Sequence, residues 1–410
     1  MNDRRRQELR LLGVAVLLVV CLVVLLDLLT NSIDTQKFSW DFRYYIRMAR
    51  RGLTGPMASP FAYRYLTPLL VRGLSGVFGL STFAGFRVVA YFGAVTQLLA
   101  VFMFIRWYTR SNRGAWLATA ITALSLFNVK FLLFDTFRPD HLAYPLILLQ
   151  AYFALTGRFA PLLVSTIIAT QIREFNAVPL IAYMYSALRS LGPASTAAES
   201  RRTAAELAIS VVGLGAALIL PRQLIPVTEN FQYADLSQGG ILRVLIAPLV
   251  LARDANFIYA IVAYLLPVLM LAGPRELYQV IGGIARRDRI FLGAYAVIVL
   301  AMSFNAGTDF FRFSTYLLLP QAIVLGLLAD RASGALLAII LASTFVFNRI
   351  WLPFPMSDTD AYLDFYGGFG ARFNSASAWR TVECVALLGI GLLARTLLKT
   401  ARSRPPPAAA

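Results

Sequence analysis

Long apolar runs broken by short polar stretches recur along this chain from end to end. The first, Leu11 to Leu26, follows a basic head, MNDRRRQELR. Further runs lie near Phe83 to Ile105, Ala115 to Phe134, Leu142 to Thr156, Pro161 to Ile172 and Ala177 to Leu188. The second half adds Ala204 to Leu220, Phe257 to Ala272, Phe291 to Phe304, Phe313 to Leu328, Ala335 to Phe347 and Val382 to Leu398. Runs of roughly 17 to 25 apolar residues suit helices that cross a hydrocarbon core about 30 Å thick. Helices bond their own backbone, which lipid cannot do, and the runs are continuous rather than alternating as in a barrel. The pattern predicts an all-α, polytopic membrane protein of about 12 transmembrane helices. Residues 1–398 form one transmembrane domain, with an outer loop over 31–85 and a cytoplasmic tail over 399–410. The head and first run resemble a signal peptide, but no small-residue cleavage site follows, so a retained span is expected.

Composition agrees: 58% of 410 residues are hydrophobic, 14% are charged and the mean hydropathy is +0.66. A net charge of +17 points to nucleic acid only where a soluble domain carries it, and no such domain is visible. The charge is instead topology information. With a cytoplasmic N-terminus, every second loop carries arginines: Arg106, Arg110 and Arg113, then Arg158, then Arg189, Arg201 and Arg202, then Arg275, Arg286, Arg287 and Arg289. The opposite loops gather acids, among them Asp34, Asp41, Asp135, Asp140, Asp254, Asp309 and Asp360. The expectation is a plasma (inner) membrane protein with both termini cytoplasmic and its chemistry on the outer, periplasmic side. Cys21 and Cys384 form no CxxC pair, so neither redox chemistry nor a cysteine metal site is indicated. No internal repeat supports an inverted-repeat transporter.

Four polar clusters carry candidate chemistry. In SWDFRYYIRMARRG a helix over Phe38 to Arg51 would place Phe38, Tyr45 and Met48 on one side and Arg43, Arg47, Arg50 and Arg51 on the other. That is an interfacial anchor whose arginines meet lipid headgroups. Asp41 at its start can cap the helix or take a proton from a substrate hydroxyl, and Asp34 offers the same chemistry less specifically. Arg64, between Tyr63 and Tyr65, suits a phosphate or a structural acid. In FDTFRPDHLAY, Asp135, Arg138, Asp140 and the single histidine, His141, share a tight turn, where Asp140 can cap the next helix. A divalent cation held by Asp41 and Asp140 is a further option there. In TQIREFNAVPL, Arg173 and Glu174 are costly at such depth, and adjacent residues need separate partners. In NAGTDFFRF, Asp309 and Arg312 stand one turn apart, as an ion pair or as a headgroup site.

The layout resembles the GT-C superfamily of polytopic membrane glycosyltransferases. The likeness rests on a short basic head, one span and a long outer loop with an early acid, Asp41 in WDFRYY. It continues in RPDHLAYPLILLQAYFALTGRFAPLLVSTIIATQIREFNAVPLIAY and in GTDFFRFSTYLLLP. The resemblance implies a sugar donor on a polyprenyl phosphate, a lipid-linked or glycan acceptor, and no nucleic-acid partner. It makes Asp41 the general base and Arg64, Arg173 and Arg312 stabilisers of the leaving phosphate, while Asp140 and His141 would orient the acceptor or an ion. Tyr45, Asp34, Arg138, Glu174 and Asp309 would complete the substrate site. The missing DxD arrangement weakens a metal-dependent mechanism. The rival readings are a secondary transporter or lipid flippase, which should place its charges in broken central helices, and a non-catalytic membrane scaffold.

Overall fold

The computed structural model describes residues 3–37, 41–55, 57–191, 196–230, 251–305, 310–356, 359–371 and 375–403. Helices dominate them. In chain order they are α1 Asp3–Leu28, α2 Phe42–Arg51, α3 Leu66–Phe78, α4 Thr82–Thr109, α5 Asn112–Leu124, α6 Phe131–Phe134, α7 Asp140–Leu155, α8 Phe159–Thr170, α9 Val178–Ser190 and α10 Ala197–Leu224. There follow α11 Leu251–Leu271, α12 Pro274–Gly283, α13 Arg286–Asn305, α14 Phe310–Ser314, α15 Leu318–Ala329, α16 Gly334–Phe347, α17 Thr359–Tyr366 and α18 Ser375–Ser403. The described β-structure is one parallel bridge, Ala58 to Glu229 and Ser59 to Asn230.

Local sequence explains many boundaries. The hydroxyls of Ser81, Ser111 and Ser333 accept the amides of Ala84, Gly114 and Leu336, opening α4, α5 and α16. Thr196 and Glu199 form a reciprocal capping box on α10. The surface is that of a protein solvated by lipid: Val212 is 71% exposed and Val385 65%.

Six described helices are long and apolar enough to cross a bilayer: Arg6–Leu28, Thr82–Thr109, Ala197–Leu224, Asp254–Leu271, Phe310–Ala329 and Ser375–Leu398. A seventh arises if Asn112–Leu124 and Leu126–Phe134 count together. The dozen expected spans all coincide with helices, but α7, α8, α9 and α16 have 16, 12, 13 and 14 residues. At 1.5 Å per residue these are only about 18 to 24 Å long, short of a full core.

Two expectations change. The run Ala115 to Phe134 is not one straight span; it bends by 69° after Leu124 and passes through a π-helical turn, Leu126–Lys130. Side chains serve a backbone amide at the break and the turn packed beside it, as a membrane interior demands. Asn348 Oδ1 accepts the Leu126 amide at 3.1 Å, and Lys130 Nζ donates to the carbonyls of Ile350 (2.6 Å) and Leu352. Second, the loop over 31–85 contains a further apolar helix, α3.

Close helix contacts occur where side chains vanish. A Cβ on Gly93 of α4 would lie 2.6 Å from the His141 carbonyl oxygen of α7. This seats the start of α7 directly on α4. Loops at the same end are tied by Ile33 N–H to the Phe134 carbonyl (3.0 Å) and by reciprocal bonds between Asn31 and Phe354 (2.9 and 2.7 Å).

Candidate active site

The charged clusters, far apart in sequence, meet at one end of the bundle. Aromatic packing brings the first two together. Phe42, at the start of α2, packs on Phe137 with ring centroids 5.6 Å apart, and Phe137 packs on Phe86 of α4 at 5.2 Å. Tyr44 stacks on Phe61 at 5.0 Å. The buried face of α2 is therefore Phe42, Tyr44, Tyr45, Met48 and Ala49, while Arg43, Arg47, Arg50 and Arg51 lie on its other side with Phe83 and Ile46 around a groove. Phe38 and Asp309 fall outside the described residues.

This packing delivers Asp41 to Arg138. Arg138 Nη1 donates to Asp41 Oδ2 at 3.0 Å, while its Nε donates to Asp135 Oδ2 at 2.6 Å. Asp41 makes no side-chain bond to the α2 amides, so its carboxylate is committed to the site rather than to capping. Its side chain keeps about a quarter of its surface exposed (26%), whereas Asp135 is buried (1%). Burial pushes the Asp41 carboxyl upward, but the positive fields of Arg138, Arg312 and Arg64 outweigh it and hold the group below the usual carboxylate range. At Asp135 burial wins over Arg138 and raises the carboxyl.

The second knot surrounds Asp140. Arg173 Nε lies 3.3 Å from Asp140 Oδ1, and the Tyr316 hydroxyl donates to the same oxygen at 2.6 Å. Asp140 likewise makes no capping bond, and both it and Arg173 are 2% exposed. The extended backbone of Arg173 links α8 to a 3₁₀ turn, Glu174–Ala177, and points successive side chains apart. Phe175 stacks on Tyr316 at 4.2 Å, and the Arg173 guanidinium lies 5.8 Å from the Phe313 ring centroid.

Glu174 takes its own partner. Arg64 Nε reaches its two oxygens at 3.0 and 3.1 Å, and Arg64 Nη1 stands 3.5 Å from the Tyr45 hydroxyl. Burial pushes Glu174 upward, yet Arg64 and Arg173 hold it below its ordinary value. Arg312, buried in α14, joins the knots electrostatically: its charge acts on both Asp41 and Asp140.

The site thus interleaves four basic side chains, Arg64, Arg138, Arg173 and Arg312, with four acidic ones, Asp41, Asp135, Asp140 and Glu174. Two outlying candidates differ. Asp34 turns inward on its own loop, accepting the Gln36 and Lys37 amides at 2.9 and 3.2 Å. His141 is wholly buried against Gly93, its ring near the carbonyls of Asp135 and Thr136 and short of good hydrogen-bond geometry. Tyr316 is the residue that reading the sequence overlooks. Its partner Asp140 lies 176 residues away, so no local signal could have found it.

Among the described residues no three Asp, Glu, His or Cys side chains gather as metal ligands. Asp41 and Asp140 each face an arginine, a donor set that suits an anion beside the carboxylate better than a cation between two. The arrangement offers an ionised, partly exposed carboxylate beside buried fixed positive charges. No family model, no curated protein and no solved structure matches the chain.

Proposed function

We propose that this protein is an inverting membrane glycosyltransferase of the GT-C kind. It moves a sugar from a polyprenyl-phosphate carrier to a lipid-linked or glycan acceptor at the outer face of the membrane. In this reading the helices form about a dozen spans, the shorter ones crossing where the bilayer thins locally, with both termini cytoplasmic. The observation that carries it is the meeting of one ionised, accessible acid, Asp41, with the charges of Arg64, Arg138 and Arg312.

Asp41 accepts the proton of the acceptor hydroxyl as that oxygen bonds to the anomeric carbon. The bond from that carbon to the phosphate oxygen breaks, and its electron pair leaves with the phosphate. The Arg138 pair lowers the basicity of Asp41 but fixes its oxygen and keeps it ionised at neutral pH. Arg64, Arg173 and Arg312, permanently charged and desolvated, stabilise the charge that grows on the leaving phosphate. Asp140 and Tyr316 position Arg173.

A transporter gains some support from the 69° break beside buried Lys130, since broken helices with charges line transport paths. Lys130, however, is spent on the carbonyls of the Arg349 to Leu352 turn. The test reconstitutes the chain in vesicles with synthetic polyprenyl-phosphate hexoses and pentoses as donors and lipid-linked glycans as acceptors, and follows release of polyprenyl phosphate. Release by the native chain and its loss in Asp41→Asn support the reading. Undiminished release in that variant removes Asp41 as the base, and sugar-lipid crossing the vesicle without release favours a flippase.

A further inference from the structure

Away from the charged knots, α9 and α13 leave a groove of about 680 Å³ between them. Its α9 wall is Ile181, Tyr185 and Arg189, spaced four residues apart on one helix face. Its α13 wall climbs from Arg286 and Arg289 through Ile290, Gly293 and Ala294 to Val297 and Ile298. Basic residues therefore cluster at one end, and an apolar trough runs on from them. No acid is among the lining residues.

The position follows from chain direction. Glu174 lies four residues before α9 begins, and Arg189 is one residue from its end. The helix has 13 residues, so the arginine mouth is about 20 Å from the Asp41 site along the bundle. Arg286 and Arg289 occupy the first turn of the 20-residue α13, where free amides already favour an anion. The trough is open beside Gly293: a Cβ built there would meet nothing within 4 Å. Its walls are exposed, Ile181 by 40% and Val297 by 65%, at the face a bilayer would cover.

We infer that this groove is a binding site for an anionic diacyl phospholipid, independent of the reaction proposed above. The headgroup phosphate bonds Arg189, Arg286 and Arg289, and an acyl chain lies along Tyr185, Ile181, Gly293 and Val297. Charge complementarity selects the occupant: three guanidinium groups suit a phosphate whose headgroup adds no compensating cation, and an apolar trough suits a chain. A zwitterionic lipid would bring its own positive charge to that mouth.

The test places the full-length protein in phosphatidylcholine vesicles doped with photoactivatable phosphatidylglycerol and maps the crosslinked peptides. Crosslinks should concentrate on Ile181 to Arg189 and Ile290 to Ile298. Phosphatidylglycerol capture there should fall about fivefold for each of Arg189→Gln, Arg286→Gln and Arg289→Gln, taking about 1 kcal/mol per basic residue at a charged headgroup. The matching lysine variants should retain most of it, and Gly293→Leu should reduce it by filling the trough while leaving the arginines in place. Equal capture by the triple glutamine variant would overturn the assignment. So would displacement of the lipid by millimolar inorganic phosphate, which would make the mouth a simple anion site.

Discussion

At the Asp41 end, Arg64, Arg138 and Arg173 each hold a carboxylate oxygen at 2.6 to 3.3 Å, with their side chains at most 14% exposed. At the far end of α9, Arg189, Arg286 and Arg289 rim a groove that contains no acid. One residue type serves two physical roles. Buried arginines must be compensated, because an isolated charge in low dielectric is prohibitive, so they arrive with partners and lock the chain into one arrangement. Arginines at a wet or headgroup-lined surface need no such partner and remain available to mobile anions. The difference also separates strength from reach: the paired end is rigid and suited to chemistry, whereas the open end is suited to holding lipid.

The largest effect tests the partly exposed member of the buried set. Asp41→Asn keeps shape and a hydrogen-bond acceptor for Arg138 but removes the base, so transfer should fall by roughly 10²- to 10⁴-fold. The pH profile sharpens the same point. The folded-state value of Asp41 lies below the unfolded one of about 3.9, so its ion-pair contribution is complete above that pH and is lost as pH falls through the folded value. Turnover should therefore be level from neutrality down to about pH 5 as far as this carboxylate is concerned. A limb near pH 6.5 that disappears in Asp41→Asn would show that burial outweighs the arginines at this carboxylate and raises its pKa.

Next comes Arg173→Met, which strips a 2% exposed charge from Asp140 and should cost roughly 3 to 5 kcal/mol in unfolding measurements. The double variant Arg173→Met with Asp140→Leu removes both charges and should recover much of that stability. It should not recover transfer, since the phosphate would still lack Arg173. Recovery of both would make the pair structural only.

How far these features were legible follows from contrast. Asp41, Arg64, Arg173 and Arg312 stand out because a chain with 14% charged residues must justify each charge in an apolar stretch. What the charges pair with was not legible. Arg64 and Glu174 are 110 residues apart, and Asp41 and Arg138 are 97 apart, and only helix packing brings them together. Tyr316 is one of 18 tyrosines, and nothing local marks it as the partner of Asp140. The break after Leu124 was hidden for another reason. Hydropathy averages over a window, so Asn128 and Lys130 disappear inside an apolar run, and the side chain that bonds the amide at the 69° bend, Asn348, lies 222 residues away from it. Helix α3 is masked by the opposite bias: Arg72 and the glycines after it interrupt an apolar helix of only 13 residues.

A smaller effect probes how the buried end is seated. Gly93→Ala forces a methyl to within 2.6 Å of the His141 backbone, which cannot swing aside as a side chain would. The cost should be about 1 to 3 kcal/mol, read as a drop in melting temperature. Because α7 carries Asp140, transfer should weaken as well. If stability falls while transfer is untouched, the α4 contact does not set the site's geometry.

The smallest effect comes from the other kind of arginine. Arg106 pairs with Glu8 at 2.6 Å, a distance as short as any in the site, yet the two side chains are 31% and 47% exposed. Short distance alone would rank this pair with Arg138 and Asp135. Solvent and headgroup screening argue otherwise, and such pairs contribute about 0 to 1 kcal/mol. Arg106→Gln should therefore shift the unfolding midpoint barely at all and leave transfer unchanged, with any stability loss fading in high salt. A loss approaching that of Arg173→Met would mean that pairing, and not burial, sets the value of an arginine in this fold, and the distinction between its two ends would collapse.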